Sequence, residues 1–134
     1  MAEDNRRRPK VHVRLSLPNG GSLGESDIAL IETLQRCRSI LGASKLMGLS
    51  YRKTWLMADA LNRTFETRVI ETFPGRKGGG AEVTAFGQRI VALFRSIERR
   101  SSVAAAATLA ELTASLAWSF EAQAAGAARE GNQH

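Results

Sequence analysis

Apolar and polar residues alternate most clearly near the start of the chain. Val11, Val13, Leu15 and Leu17 are separated by His12, Arg14 and Ser16, which puts all four apolar side chains on one face of an extended strand. The strand stops at Pro18-Asn19-Gly20-Gly21, where the fixed φ of proline and the freedom of glycine favour a turn. Residues 1–10 are polar, basic and interrupted by Pro9; they lack the apolar surface that would offset the entropy of ordering and read as a flexible arm.

The period then becomes helical. Ser26 can cap a helix in which Ile28, Ile31 and Leu34 recur, ending near Arg38. Ser39 can cap a second, shorter helix with Ala43 and Met47 on its inner side, closing at Gly48. After the turn Gly48-Leu49-Ser50, Ser50 caps a third helix. At about 100° per residue, Thr54, Ala58, Leu61 and Phe65 form its inner stripe, with Tyr51, Trp55 and Asn62 at the edge. Arg52, Leu56, Asp59 and Arg63 form the opposite stripe, with Lys53 beside it.

Val69, Ile70 and Thr72 predict a short strand, and Val83 with Thr84 a second. The glycine-rich segment between them, residues 73–80, carries Arg76 and Lys77 and reads as a hairpin tip. Thr84 can cap a further helix with Phe86, Ile90, Leu93, Phe94 and Ile97 on one side, the stripe Phe86, Ile90, Leu93 and Ile97 covering the domain. From residue 100 to 121 the chain is alanine-rich with Leu109, Leu112, Leu116 and Phe120 at near-heptad spacing. That helix continues or restarts after Ser101-Ser102, and its leucines and Phe120 need a second surface, which points to dimerisation.

Charge adds a partner to this picture. Residues 1–35 carry five residues of each sign, residues 36–100 carry thirteen basic and five acidic ones, and residues 101–134 are net acidic. A middle segment this basic concentrates polyanions and releases counterions when phosphates are neutralised; an ordinary solvated basic surface would carry the same count. Arginine outnumbers lysine, which favours planar contacts to phosphates or base edges.

Composition removes other classes. One cysteine, Cys37, cannot form an internal disulfide, and it reads as an inert small residue. Two histidines at opposite ends of the chain, His12 and His134, leave little for a metal site, and His12 reads as a solvated strand residue. No stretch approaches the roughly 18 consecutive apolar residues of a membrane span, and no secretory signal opens the chain, so the cytoplasm is the expected compartment. The glycine-rich loop is not followed by GK[ST], so it does not read as a nucleotide site. No nucleophile with a base and no paired carboxylates stand out; the scattered acids Glu66, Glu71 and Glu82 read as cross-strand partners of Arg68. An enzyme is not expected.

Two helices joined by a tight glycine turn, with a basic outward face on the second, are the parts of a helix-turn-helix. A helix fits the major groove, and side chains near its N-terminus reach base edges. Arg52 suits a guanine edge or a phosphate, Lys53 a base or phosphate, Ser50 a phosphate, and Tyr51 is open between packing and a base. Arg76 and Lys77 would reach the flanking backbone. Asp59, outward in the second half, confines groove entry to the first two turns.

Residues 39–98 resemble the DNA-binding domain of ModE-type, molybdate-responsive transcriptional regulators, similar in turn to the LysR-type winged helix. The resemblance rests on Met47-Gly48-Leu49-Ser50-Tyr51-Arg52-Lys53-Thr54-Trp55, on Leu61-Asn62, on residues 75–80, and on Val83-Thr84-Ala85-Phe86-Gly87-Gln88-Arg89. It extends to roughly residues 11–100. It implies that the block from Ser50 is the recognition helix, that residues 75–80 lie in the wing, and that the helix after Thr84 helps pair two subunits. The final third lacks the strand alternation and the serine-arginine-asparagine motif of the molbindin domains that bind molybdate in that family. No molybdate site, and no other cofactor, is therefore expected.

The expectation is a mainly α protein: an arm (1–10), a winged helix-turn-helix domain (11–100) with a β-hairpin wing and an N-terminal strand, an Ala/Leu-rich dimerisation helix (101–125), and a disordered tail (126–134). Its expected function is that of a homodimeric repressor on double-stranded DNA, associated with the bacterial nucleoid. The alternative is a protein-interaction module that uses the winged helix as a scaffold and the C-terminal helix to recruit a partner.

Overall fold

A computed structural model describes residues 8–73 and 80–120. Among these, residues 11–103 form one compact unit, and residues 8–10 with 104–120 belong to a second.

The alternation at the start of the chain is realised as burial: Val11, Val13, Leu15 and Leu17 are half-buried, and His12, Arg14 and Ser16 are exposed. Only the middle of this segment is paired, as β1 (Arg14–Ser16) antiparallel to β2 (Ser22–Gly24). The turn between them closes with the Leu17 carbonyl accepting from Gly20, at φ 91°, and Leu17 N–H donating to Gly21. β2 was not expected, because a strand of two small residues around the single apolar Leu23 has no alternation of its own; pairing with β1 creates it.

Helix α1 (Glu25–Cys37) starts one residue before Ser26, so Ser26 is not its cap. Gly24 is, and Asp27 Oδ2 accepts from Gly24 N–H at 2.9 Å. A carboxylate in the first turn complements the helix dipole as well as filling the orphan donor. Ile28, Leu30, Ile31 and Leu34 of α1 are fully buried and form the centre of the core. The helix ends as expected at Arg38, whose left-handed backbone (φ 57°) lets its N–H reach Leu34. The same turn aims the Arg38 carbonyl at Ala81 N–H, 3.0 Å away.

Ser39 caps α2 (Ile40–Met47) by accepting from Gly42 N–H at 2.8 Å, and Gly48 closes the helix at φ 67°. A Cβ at position 42 would meet the Ser39 hydroxyl at 2.7 Å, so this cap needs glycine there. Ser50 caps α3 (Tyr51–Thr64), its Oγ accepting from Lys53 N–H at 3.0 Å. Thr54, Ala58 and Leu61 turn inward and are buried, as the inner stripe requires.

β3 (Ile70–Phe73) and β4 (Gly80–Val83) form an antiparallel hairpin with Ile70 opposite Val83. The register sets Glu71 against Glu82, and among the described residues no ion pair joins Arg68 to Glu66 or Glu71. Ser39 bridges to Gly80, which docks β4 at the α1–α2 junction. Thr84 caps α4 (Ala85–Ala104) by accepting from Gly87 N–H at 2.9 Å.

The core face of α4 is Gly87, Ile90 and Phe94, with Phe86 packed against it; of the expected stripe, Phe86 and Ile90 cover the domain, and Leu93 and Ile97 do not. Leu93 and Ile97 are 43% and 37% exposed. Gly87 sets this rotation: a Cβ there would lie 2.5 Å from the Val69 carbonyl oxygen, so α4 approaches the hairpin along its glycine and Leu93 and Ile97 swing to the flank. The helix runs through Ser101-Ser102 and gives way to α5 (Ala106–Ala114). Leu116 and Phe120 follow the end of α5 at Ala114, and residues 121–125 of the expected helix lie outside the described residues. The result is a mainly α winged helix-turn-helix: α2, the turn and α3, with β3 and β4 as the wing.

Candidate nucleic-acid interface

The first turn of α3 brings Ser50, Tyr51, Arg52 and Lys53 together at the surface, all four exposed. The turn is rigid for local reasons. Ser50 Oγ holds Lys53 N–H, the Ser50 carbonyl accepts from Thr54 N–H, and the buried Thr54 hydroxyl donates to the same carbonyl at 2.9 Å. Arg52 and Lys53 are thus fixed by their backbone while their side chains reach into solvent. Among the described residues neither has a carboxylate partner.

Further along the same face the charge is partly cancelled. Arg63 Nε donates to Asp59 Oδ2 at 2.9 Å, one turn apart. Leu56, 53% exposed, lies between these cations on the outward line. Positive field is therefore concentrated at the N-terminal half of α3, where the unpaired N–H groups of the helix also favour anions.

Two asparagines hold the helix in place. Asn62 Oδ1 accepts from Val69 and Ile70 N–H at 2.9 and 3.0 Å, and its amide donates to the Ile70 carbonyl at 2.9 Å. One side chain thereby joins the end of α3 to the first strand of the wing. Asn19, in the β1–β2 turn, donates to the Thr64 carbonyl at 2.9 Å and satisfies one of the orphan acceptors at the helix end. Their roles were missed in the sequence because the partners lie seven or more residues away; a polar residue at the rim of the core stripe, near a helix end, was the available signal. Thr84 completes the frame by donating to the Arg68 carbonyl at 2.6 Å.

The strongest ion cluster lies elsewhere. Arg95 on α4 bonds Glu25 and Glu32 of α1 and Glu98 of its own helix, at 2.9, 2.9 and 2.8 Å. Its hydrogen bonds to Glu25 and Glu98 push the guanidinium above its usual value, and the bond from Arg95 holds the Glu25 carboxyl below its ordinary 4.5. This cation joins helices and is not available to a polyanion.

Arg76 and Lys77, the wing-tip cations, lie outside the described residues, as do residues 1–7 of the arm and everything after Phe120. Of the residues expected to pair subunits, Leu109 is half-buried, whereas Leu112, Leu116 and Phe120 are 60%, 49% and 70% exposed. Cys37 is half-buried, with its thiol donating to the Ser39 carbonyl. Among the described residues no group of three or more His, Cys, Asp or Glu could hold a metal ion, and no helix is long and apolar enough to cross a membrane.

A helix whose N-terminal turn presents cations with no carboxylate partner among the described residues, joined by a tight turn to the helix before it and by an asparagine to a hairpin, defines a winged helix-turn-helix protein. No family model matches the chain. Curated relatives do. The molybdenum transport protein ModE of Azotobacter vinelandii is 39% identical over 63% of this chain and 33% of its own length. The molybdenum-pterin-binding protein MopA of Rhodobacter capsulatus is 40% identical over the same shares. The DNA-binding transcriptional dual regulator ModE of Escherichia coli K12 is 34% identical over 50% of this chain and 26% of its own length. The chain is thus homologous to ModE-type proteins over half or more of its residues, and it spans about a third of the length of the curated relatives it matches.

Proposed function

We propose that this chain is a sequence-specific DNA-binding transcriptional regulator that acts as a homodimer and represses by occupying its site. The observation that carries the reading is the exposed pair Arg52 and Lys53 on the braced first turn of α3, which have no carboxylate partner among the described residues. In this reading Arg52 faces the base edges, Lys53 and Ser50 contact phosphates, Tyr51 contacts DNA beside them, and Arg76 and Lys77 of the wing reach the flanking backbone. The regulator names of several relatives support the same assignment. Residues of this chain are assigned to DNA and none to molybdenum.

The test is binding of the full chain to duplex DNA across a salt series. Affinity should fall steeply with salt, because each neutralised phosphate releases counterions, and most of it should be lost in Arg52→Ala. Salt-insensitive binding that survives the substitution would overturn the reading.

Pairing of subunits would set two recognition helices about 34 Å apart, to meet successive major grooves on one side of the duplex. It is supported by exposed apolar side chains on two elements: Leu93 and Ile97 on α4, and Leu112, Leu116 and Phe120 in and after α5. Light scattering at micromolar concentration should show a dimer that Leu112→Glu weakens; a monomer that the substitution leaves unchanged would refute pairing through this segment. The same apolar segment is what a protein-recruiting module would use, and a salt-insensitive heterologous complex in place of DNA binding would favour that second reading.

A further inference from the structure

Tyr51 and Trp55 stand one turn apart at the start of α3, 42% and 36% exposed, with the Trp55 ring nitrogen 2.8 Å from the Tyr51 hydroxyl oxygen. The direction of this bond is settled by chemistry. An indole N–H can only donate, whereas a phenol can do both, so the Tyr51 oxygen accepts and its own proton must point elsewhere. Among the described residues that proton has no recorded acceptor. A hydroxyl that receives a hydrogen bond is also a stronger donor through its O–H. The indole therefore turns a two-way group into one that offers a proton outward.

Position on the helix says what would accept it. At about 100° per residue, Arg52, Leu56 and Arg63 run along the line opposite the buried Thr54, Ala58 and Leu61. Tyr51 and Trp55 lie on one flank between these lines, and Lys53 lies on the other. For a helix lying in a major groove, the outward line faces the base edges on the floor and the two flanks face the sugar-phosphate walls. A donor on a flank meets phosphate oxygens, which only accept.

Resting on the DNA-binding reading above, we infer that the Tyr51 hydroxyl is a phosphate contact, directed by Trp55 as its positioning residue. Lys53 serves the opposite wall, and discrimination between bases is left to the outward line. The pair acts as a clamp that sets the register of α3 in the groove without reading sequence.

The experiment uses the full chain, a duplex recovered by selection from a random pool, an unrelated duplex, and versions of the selected duplex with one neutral methylphosphonate at each backbone position in turn. Tyr51→Phe should weaken binding to both unmodified duplexes by a similar factor, about threefold to tenfold for one hydrogen bond, with base preference unchanged. One methylphosphonate position should weaken the wild type and add nothing in Tyr51→Phe. Trp55→Phe, which keeps the hydroxyl but removes its director, should give a smaller loss at that same position. Thermal unfolding should be nearly unchanged in both variants, because both side chains are at the surface. The inference is overturned if Tyr51→Phe binds as tightly as the wild type, if it alters base preference, which would make Tyr51 a base contact, or if every methylphosphonate penalty persists in it. A wild type that binds both unmodified duplexes, with any of these results, overturns the clamp alone; a wild type that binds neither overturns the DNA reading and the clamp with it.

Discussion

Arg52 and Arg95 are the same side chain put to opposite uses. Arg95 sits between α1 and α4 with three carboxylates around it, so its charge is neutralised within the fold and its work is to hold two helices together. Arg52 sits on the first turn of α3 with its backbone fixed and its guanidinium in solvent. Among the described residues Arg52 has no carboxylate partner, so its charge is open to a polyanion in a way that that of Arg95 is not. The contrast shows why the excess of basic residues in 36–100 was a weak guide by itself: the count is the same whether a cation is committed or open, and only geometry separates the two.

The largest expected effect that would sharpen this contrast is on Arg52. Arg52→Ala should relax discrimination at one base position by about 1–3 kcal/mol, read from binding isotherms on variant duplexes. Equal weakening on every sequence would demote Arg52 to a phosphate contact.

Arg95→Met should do the converse, leaving DNA affinity nearly intact and costing about 1 kcal/mol of stability for a partly exposed cluster, or about 4–8 °C in Tm. Its pH dependence follows from Glu25. Because Arg95 holds that carboxyl below its ordinary 4.5 in the folded chain, the stabilisation is present above the unfolded value and is lost as pH falls through the folded one. Melting curves between about pH 3 and 6 should therefore show a steeper acid decline in the wild type than in Arg95→Met. Parallel declines would show that Glu25 is not held by Arg95.

The smallest effect belongs to the intermediate case, Arg63, half-committed to Asp59 at 2.9 Å. Asp59→Asn should free it and raise non-specific DNA affinity a few-fold at low salt, with the gain screened away as salt increases. An unchanged affinity would mean that the second half of α3 stays clear of the duplex.

Much of this frame was legible in the sequence because it depends on local period and local caps. The alternation at Val11, Val13, Leu15 and Leu17, the caps at Ser39, Ser50 and Thr84, and the turn at Gly48 each need only residues within a few positions. β2 was hidden because Leu23 has no apolar neighbour at strand spacing, and the start of α1 because an acid at Asp27, not a hydroxyl at Ser26, serves the cap. The rotation of α4 was misjudged for a different reason. Its apolar residues cover more than one face, and the choice between faces is made by Gly87 against the Val69 carbonyl, a contact eighteen residues apart along the chain. The Arg95 cluster spans 63 and 70 residues, and no pattern in either segment announces it.

Asn62 has a consequence for how such a protein would meet a partner. Since one amide ties the end of α3 to the root of the hairpin through three bonds, the pitch between helix and hairpin root is set at folding and need not be ordered at encounter. Outward side chains on α3 can then be exchanged, one letter at a time, without resetting the gauge between helix and wing, which makes this chain a convenient chassis for re-targeting.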